Sequence, residues 1–261
     1  MSSNTAVSCA QTKGITLNQL KYIAIFAMVI DHIAFAFVPD ETLLAIGMHF
    51  IGRITGPVMF FSAVEGYHHT SNLRKYIARL AIFAAVSWLP FLYFKKGGSL
   101  SHVALMRPNV IYTILLGVLA ICIRRSTRIK NPVTKILLIL MLVVLCVPAD
   151  WSYTGLIMII VFDYFYGNFQ QQAFGYCMVV LLGMQVLNLL TTPFFGLFYD
   201  QTFYLDLEYY LLSIADIGAL IPIGLLSFYK GEHGAKSSFS KWFFYIFYPV
   251  HFLILGFLQT L

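Results

Sequence analysis

An acid and a histidine stand side by side, Asp31-His32, inside an otherwise apolar run from Lys21 to Val38 that is long enough to cross a bilayer. An ionised aspartate at that depth costs roughly 2.5–3.5 kcal/mol on insertion scales, so such a residue faces a protein interior or a watery cavity and does a job there. Lys21 precedes His32 by eleven residues, about three helical turns, so both project from nearly the same face, roughly 16 Å apart along the axis. That is close to the reach of a coenzyme A pantetheine arm. A lysine at the membrane surface can hold a nucleotide phosphate while a histidine inside meets the thioester and acts as general base. Asp31 and His32 point about 100° apart on a helix, so Asp31 is expected to bond another span rather than its neighbour's imidazole. Arg53, Asp216 and His251 fall at similar depth on three further apolar segments, and Arg53 is expected to pair with Asp31 or Asp216.

The elements that must carry these groups are transmembrane helices. Of 261 residues, 59% are hydrophobic, 16% aromatic and 11% charged, with mean hydropathy +0.79; a soluble domain carries about 25% charged residues. The apolar runs are continuous and near twenty residues, which excludes the ten-residue alternation of a transmembrane barrel. The expected fold is an all-α polytopic bundle of about nine spans, near 18–38, 42–65, 74–94, 109–123, 132–148, 152–166, 173–196, 209–229 and 241–260. Residues 1–17 read as a cytoplasmic tail and 18–261 as a single transmembrane domain. Residues 1–15 lack an apolar signal core, so the first span serves as the anchor. Thr16 and Asn18 are candidate caps for it. Pro57 cannot donate to the carbonyl of Arg53, and Gly52 and Gly56 flank the pair, so the second span is expected to break there.

With the amino terminus inside, thirteen lysines and arginines fall on the cytoplasmic side against Lys95, Lys96 and Arg107 outside. The same asymmetry accounts for the net charge of +6 and pI near 9.1 without a nucleic-acid partner. Cys9, Cys122, Cys146 and Cys177 have no paired or metal-like spacing, and no metal is expected. Asp163, near a cytoplasmic helix end, reads as a packing residue. His68, His69, His102 and His233 read as solvated loop residues, and His49 as an amphipathic residue at the outer interface.

The motifs occur in a specific order: Leu20-Lys21 to Met28-Val29-Ile30-Asp31-His32, Gly52-Arg53 with Pro57, then Glu65-Gly66 and His69-Thr70 with Asn72. Tyr76 with Arg79-Leu80, Asn109, Asp150 and Phe244-Tyr245-Ile246-Phe247-Tyr248-Pro249-Val250-His251 follow. This ordered set resembles the TraX family, whose plasmid-encoded founder acetylates the amino terminus of membrane-inserted pilin. The family is similar in layout to transmembrane acyltransferases that take acetyl-CoA from the cytoplasm. In the acyltransferase type 3 proteins a basic residue precedes the first-helix histidine by eleven positions, the spacing that Lys21 and His32 keep. Here the base is lysine, a point charge without arginine's bidentate fork.

The resemblance implies a multi-pass inner-membrane acetyltransferase that uses acetyl-CoA as co-substrate and an amine or hydroxyl of a membrane-associated acceptor. His32, Asp31, Arg53 and His251 are the catalytic candidates. His32 is the base, Arg53 or His251 the oxyanion donor, and an acetyl-imidazole on either histidine is an alternative route. Lys21, Arg74, Lys75 and Lys241 are candidates for the coenzyme phosphates, and Glu65, Asn72, Asn109 and Asp216 for the acceptor. The expected partners are the lipid bilayer and the acceptor, with a homo-oligomer possible. A proton-coupled transporter, with Asp31, Arg53 and Asp216 as its relay, and a non-catalytic assembly partner are the competing readings.

Overall fold

A computed structural model describes residues 14–99, 107–186, 214–234 and 238–261. Among these residues the regular structure is helical, with no strand and one isolated bridge between Ile15 and Tyr229. The elements are α1 (Leu17–Phe37), α2 (Leu43–Gly52), α3 (Thr55–His69), α4 (Leu73–Val86), α5 (Trp88–Lys95), α6 (Val110–Arg125), α7 (Pro132–Cys146), α8 (Ser152–Tyr164) and α9 (Phe169–Met178). α9 runs on as a π-helical stretch, Val179–Val186. A 3-10 turn, Asp216–Leu220, leads into α10 (Ile221–Ser227), and α11 (Ser238–Leu258) closes the described chain. His102, Lys236, the loop holding Asp200, Asp206 and Glu208, and the far half of the seventh expected span lie outside the described residues.

Side-chain caps start most of these helices. Thr16 and Gln19 form a reciprocal capping box on α1, and Thr42, Asn72, Asn109, Asn131 and Asn168 accept from first-turn amides of α2, α4, α6, α7 and α9. Two spans are broken by proline. The expected interruption of the second span falls at Arg53–Ile54, between α2 and α3. The third span, expected to be continuous, also breaks, at Ser87: Pro90 follows three residues later and cannot donate to Val86. α3 extends to His69, so the expected polar turn shrinks to Thr70–Asn72, and His68 and His69 are helical rather than in a loop.

Three helical stretches, Leu17–Phe37, Leu43–His69 and Leu73–Lys95, are long and apolar enough to cross a membrane. The outer surface is apolar as well. Along α7, Val133, Ile136, Leu137, Leu140, Met141 and Val144 are all exposed, while Leu142 and Cys146 turn inward. A surface of that kind is stable only against lipid. The protein is a helical membrane bundle. α1 is one hub, packed on α2, α3 and α11 with Phe26 and Phe37 on its exposed outer face; α6 is the second hub, packed on α4, α7 and α8.

The core between the hubs is made by Leu20, Ala24 and Met28 of α1 against Val58, Phe61 and Val64 of α3. Thr55 ties the two helices by donating to the Ala24 carbonyl at 3.0 Å.

Candidate active site

A cavity of about 700 Å³ runs along α1. Asn18, Lys21, Ile25, Met28 and His32 line it, three or four residues apart, so one stripe of α1 forms its wall from the amino-terminal end to the histidine. At the amino-terminal end the stripe faces Arg79 of α4, His69 of α3 and His233 of the loop after α10. At the other end it faces Arg53, Lys95, Asp150 and Trp151. The spacing of Lys21 and His32 thus puts both groups in a single cavity.

His32 is largely buried. Its ring packs on Phe94 and Phe252 and lies nearly parallel to that of His251, with centroids 5.1 Å apart. Its Nδ1 is 2.9 Å from Nε2 of His251, and Nδ1 of His251 is 3.1 Å from the Phe247 carbonyl oxygen. This chain of contacts assigns the protons. A carbonyl only accepts, so His251 carries its hydrogen on Nδ1 and presents a lone pair at Nε2. His32 must then donate from Nδ1, which leaves the lone pair of a neutral His32 on Nε2. The imidazole is held in the tautomer a general base needs, by a second group behind it. Pro249, within α11 and lacking an N–H, loosens the backbone where His251 is placed.

Asp31 bonds another span, as its angle on the helix requires. Its Oδ1 is 2.9 Å from Nδ1 of His49 on α2, while Oδ2 is 3.9 Å from Nε2 of His32. His49 is therefore the partner of the buried acid and not an interfacial bystander. Gly52 makes the approach feasible, since a Cβ there would lie 2.3 Å from Oδ1 of Asp31. Arg53 pairs with Asp216, Nε to Oδ1 at 2.6 Å, the second of its two expected partners. That pairing depends on Gly218, where a Cβ would stand 2.1 Å from the Phe50 carbonyl oxygen.

A second cavity, about 530 Å³, shares Arg53, Lys95, Asp150 and Trp151 with the first and continues to Arg107 and Asp216. Trp151 stands where the two share walls. Its φ of 62° and the 42° of Ser152 lie in the left-handed region, uncommon for non-glycine residues and costing about 1–3 kcal/mol each. Gly56 faces the indole so closely that a Cβ there would sit 2.4 Å from it, and Phe60 meets the ring edge-on at 5.5 Å. Asp150, in the turn before α8, is pushed up from the ordinary carboxylate range by burial, against the pull of Lys95 and Arg53.

Other expected site residues are placed elsewhere. Asn72 caps α4, and the buried Asn109 caps α6 and donates to the Ala84 carbonyl at 2.8 Å. Neither lines either of these two cavities; their observed role is to cap helices. Arg74 and Lys75 also lie off the cavity wall, and Arg79, a turn further along α4, is the cation that lines it. The side chain of Lys241 lies outside the described residues. Glu65 is buried beside the cavity and accepts from the Tyr229 hydroxyl at 2.9 Å. His68 is not solvated. With Arg124 and Arg125 it surrounds the fully buried Asp163, its Nε2 2.8 Å and the Arg125 Nε 2.9 Å from Oδ1, so Asp163 does lock packing.

The family model described as TraX protein matches residues 16–259. The chain belongs to the TraX family. It is 33% identical over 243 residues to a Dichelobacter nodosus protein called probable fimbrial assembly protein FimC, serogroup H1. That match covers 91% of this chain and 93% of the relative, so the family's likeness extends over the whole cavity. No solved structure matches the chain significantly.

Proposed function

We propose that the protein is a membrane acetyltransferase that moves the acetyl group of acetyl-CoA to an amine or hydroxyl of an acceptor entering from the opposite end of α1. The observation that carries this reading is the single cavity joining Lys21 to a histidine whose lone pair is fixed on Nε2. The residues present fit the co-substrate. Lys21 and Arg79 offer two cations for phosphates at one end, and Ile25 and Met28 an apolar wall for the arm between. The positive-inside asymmetry supports placing that end at the cytoplasmic face.

In the transfer step His32 removes the acceptor's proton at Nε2 as the new C–N or C–O bond forms and the C–S bond breaks. It then returns the proton to the departing thiolate. Asp31, 3.9 Å from Nε2, stabilises the imidazolium formed in between. His251 supports the tautomer and has its own Nε2 engaged by His32, so of the two imidazoles His32 is the one placed to react. The second cavity would give the acceptor its route, with Arg53 and Lys95 on the shared wall as the cations available to a developing oxyanion. A fimbrial subunit is the acceptor class consistent with a relative called a probable fimbrial assembly protein.

Purified protein in nanodiscs, given acetyl-labelled acetyl-CoA, tests the reading. Saturable binding that weakens at least tenfold in Lys21→Ala is expected. Absence of binding in the folded wild type would refute it. Two cavities sharing walls would also serve a carrier, and flux of a solute across sealed vesicles without label transfer would favour that alternative.

A further inference from the structure

Among the described residues one set of a carboxylate and two imidazoles converges within 4.8 Å: Glu65, His69 and His233. We infer that these residues bind a divalent transition-metal ion, zinc by preference. The inference does not depend on acetyl transfer. Nδ1 of His69 is 3.6 Å and Nε2 of His233 4.0 Å from Oε2 of Glu65, both beyond hydrogen-bonding range. Metal bonds of about 2.0–2.2 Å at tetrahedral angles set neighbouring ligand atoms roughly 3.4 Å apart, so with all three atoms already within 4.8 Å of one another, closing the set on an ion draws any pair together by at most about 1.4 Å. Glu65 is buried, and a buried carboxylate needs a cation. Two histidines and a carboxylate are a zinc donor set with a fourth position left open, and His69 and His233 both line the cavity that this position would face.

The surroundings support the carboxylate as a ligand. The Tyr229 hydroxyl donates to Oε2 at 2.9 Å. An outer hydrogen bond of this kind orients a ligating oxygen. Nδ1 of His69 also lies 3.0 Å from the Glu65 carbonyl, and the ion would replace that contact. His69 and Glu65 sit one turn apart on α3, while His233 comes from the loop that bonds to the start of α1 through Glu232 to Leu17 and His233 to Asn18. The ion would fasten this loop to α3 at the end of the cavity lined by Lys21.

Detergent-purified protein, stripped with chelator and titrated with Zn²⁺ against a chromophoric competitor, is expected to take up one equivalent. The double variant His69→Ala/His233→Ala is expected to lose it, and Tyr229→Phe to bind about 10–100-fold more weakly. Sub-stoichiometric binding by the wild type overturns the site. So does wild-type affinity in Tyr229→Phe, or in a double variant that elutes as a single folded species. Should the double variant fail to fold, Tyr229→Phe and the d–d spectrum of the Co²⁺-loaded wild type decide, with an octahedral aquo-like spectrum counting against the site.

Discussion

Replacing His251 with phenylalanine isolates what this residue does for His32. Phenylalanine keeps a ring to stack on Phe247 and Phe252 but removes the Nε2 that accepts the His32 Nδ1–H at 2.9 Å. That N–H then sits in an apolar site without an acceptor, at a cost of about 1–3 kcal/mol. His32 relieves the cost by moving its proton to Nε2, the atom that must be bare for catalysis. At 1.36 kcal/mol per decade, the reactive tautomer and kcat fall about 5- to 150-fold. His251 does not line the cavity, so KM for acetyl-CoA should stay within twofold of wild type. His251→Gln, with an amide oxygen near the lost nitrogen, should recover part of the rate. Steady-state transfer of labelled acetyl, on protein shown to be folded by thermal melting, reads all of these values. Unchanged kcat in His251→Phe, or a loss carried entirely by KM, would refute the assigned tautomer.

Three further outcomes follow from the geometry. Gly52→Ala forces α1 and α2 apart by roughly 1 Å and costs about 1–3 kcal/mol; its melting temperature should fall and acetyl transfer with it, whereas a wild-type melt would mean that the helices do not approach so closely. Asp163→Ala leaves Arg124 and Arg125 without their shared counter-ion, and the loss should be about 3 kcal/mol, the low end for a broken buried pair because both arginines keep some solvent access; thermal or urea unfolding checks it. Asp150 has its pKa raised by burial, so the folded state binds its proton more tightly than the unfolded state does. Its contribution is lost as pH rises through the raised value. Asp150→Asn should therefore melt higher than wild type at neutral pH, with the gap closing toward pH 4, and melts across that range would show it.

The polar anatomy of α1 was legible because depth and helical angle constrain it. An acid and a base at neighbouring positions cannot face one way, so Asp31 turned to another helix, and His32 shared a stripe with Lys21. The break at Arg53 followed from Pro57 and its glycines. The same logic applied to Pro90 and the break at Ser87, but the surrounding run was apolar enough to read as unbroken. His49 was missed since a single histidine has no periodic signature; it stands in the last turn of α2, and its role comes from the packing of α2 on α1.

His69 was legible in part. It follows Glu65 by four residues, the spacing of two groups on one helical face, and extending α3 past the glycine at 66 would have revealed the pair. His233 was not, because a loop residue reaches its partners through tertiary contacts alone. Asn72 and Asn109 illustrate the opposite error. Polar residues at helix starts are caps first, and both amide oxygens are taken by backbone N–H groups.

The most direct measurement is single-turnover acetyl transfer by His32→Ala in nanodiscs, with acetyl-CoA binding followed on the same sample. A base fixed inside the bilayer predicts that binding stays near wild type while transfer drops about 10²–10⁴-fold. Undiminished transfer in a variant that still binds acetyl-CoA would contradict the assignment of His32 as the group that takes the proton.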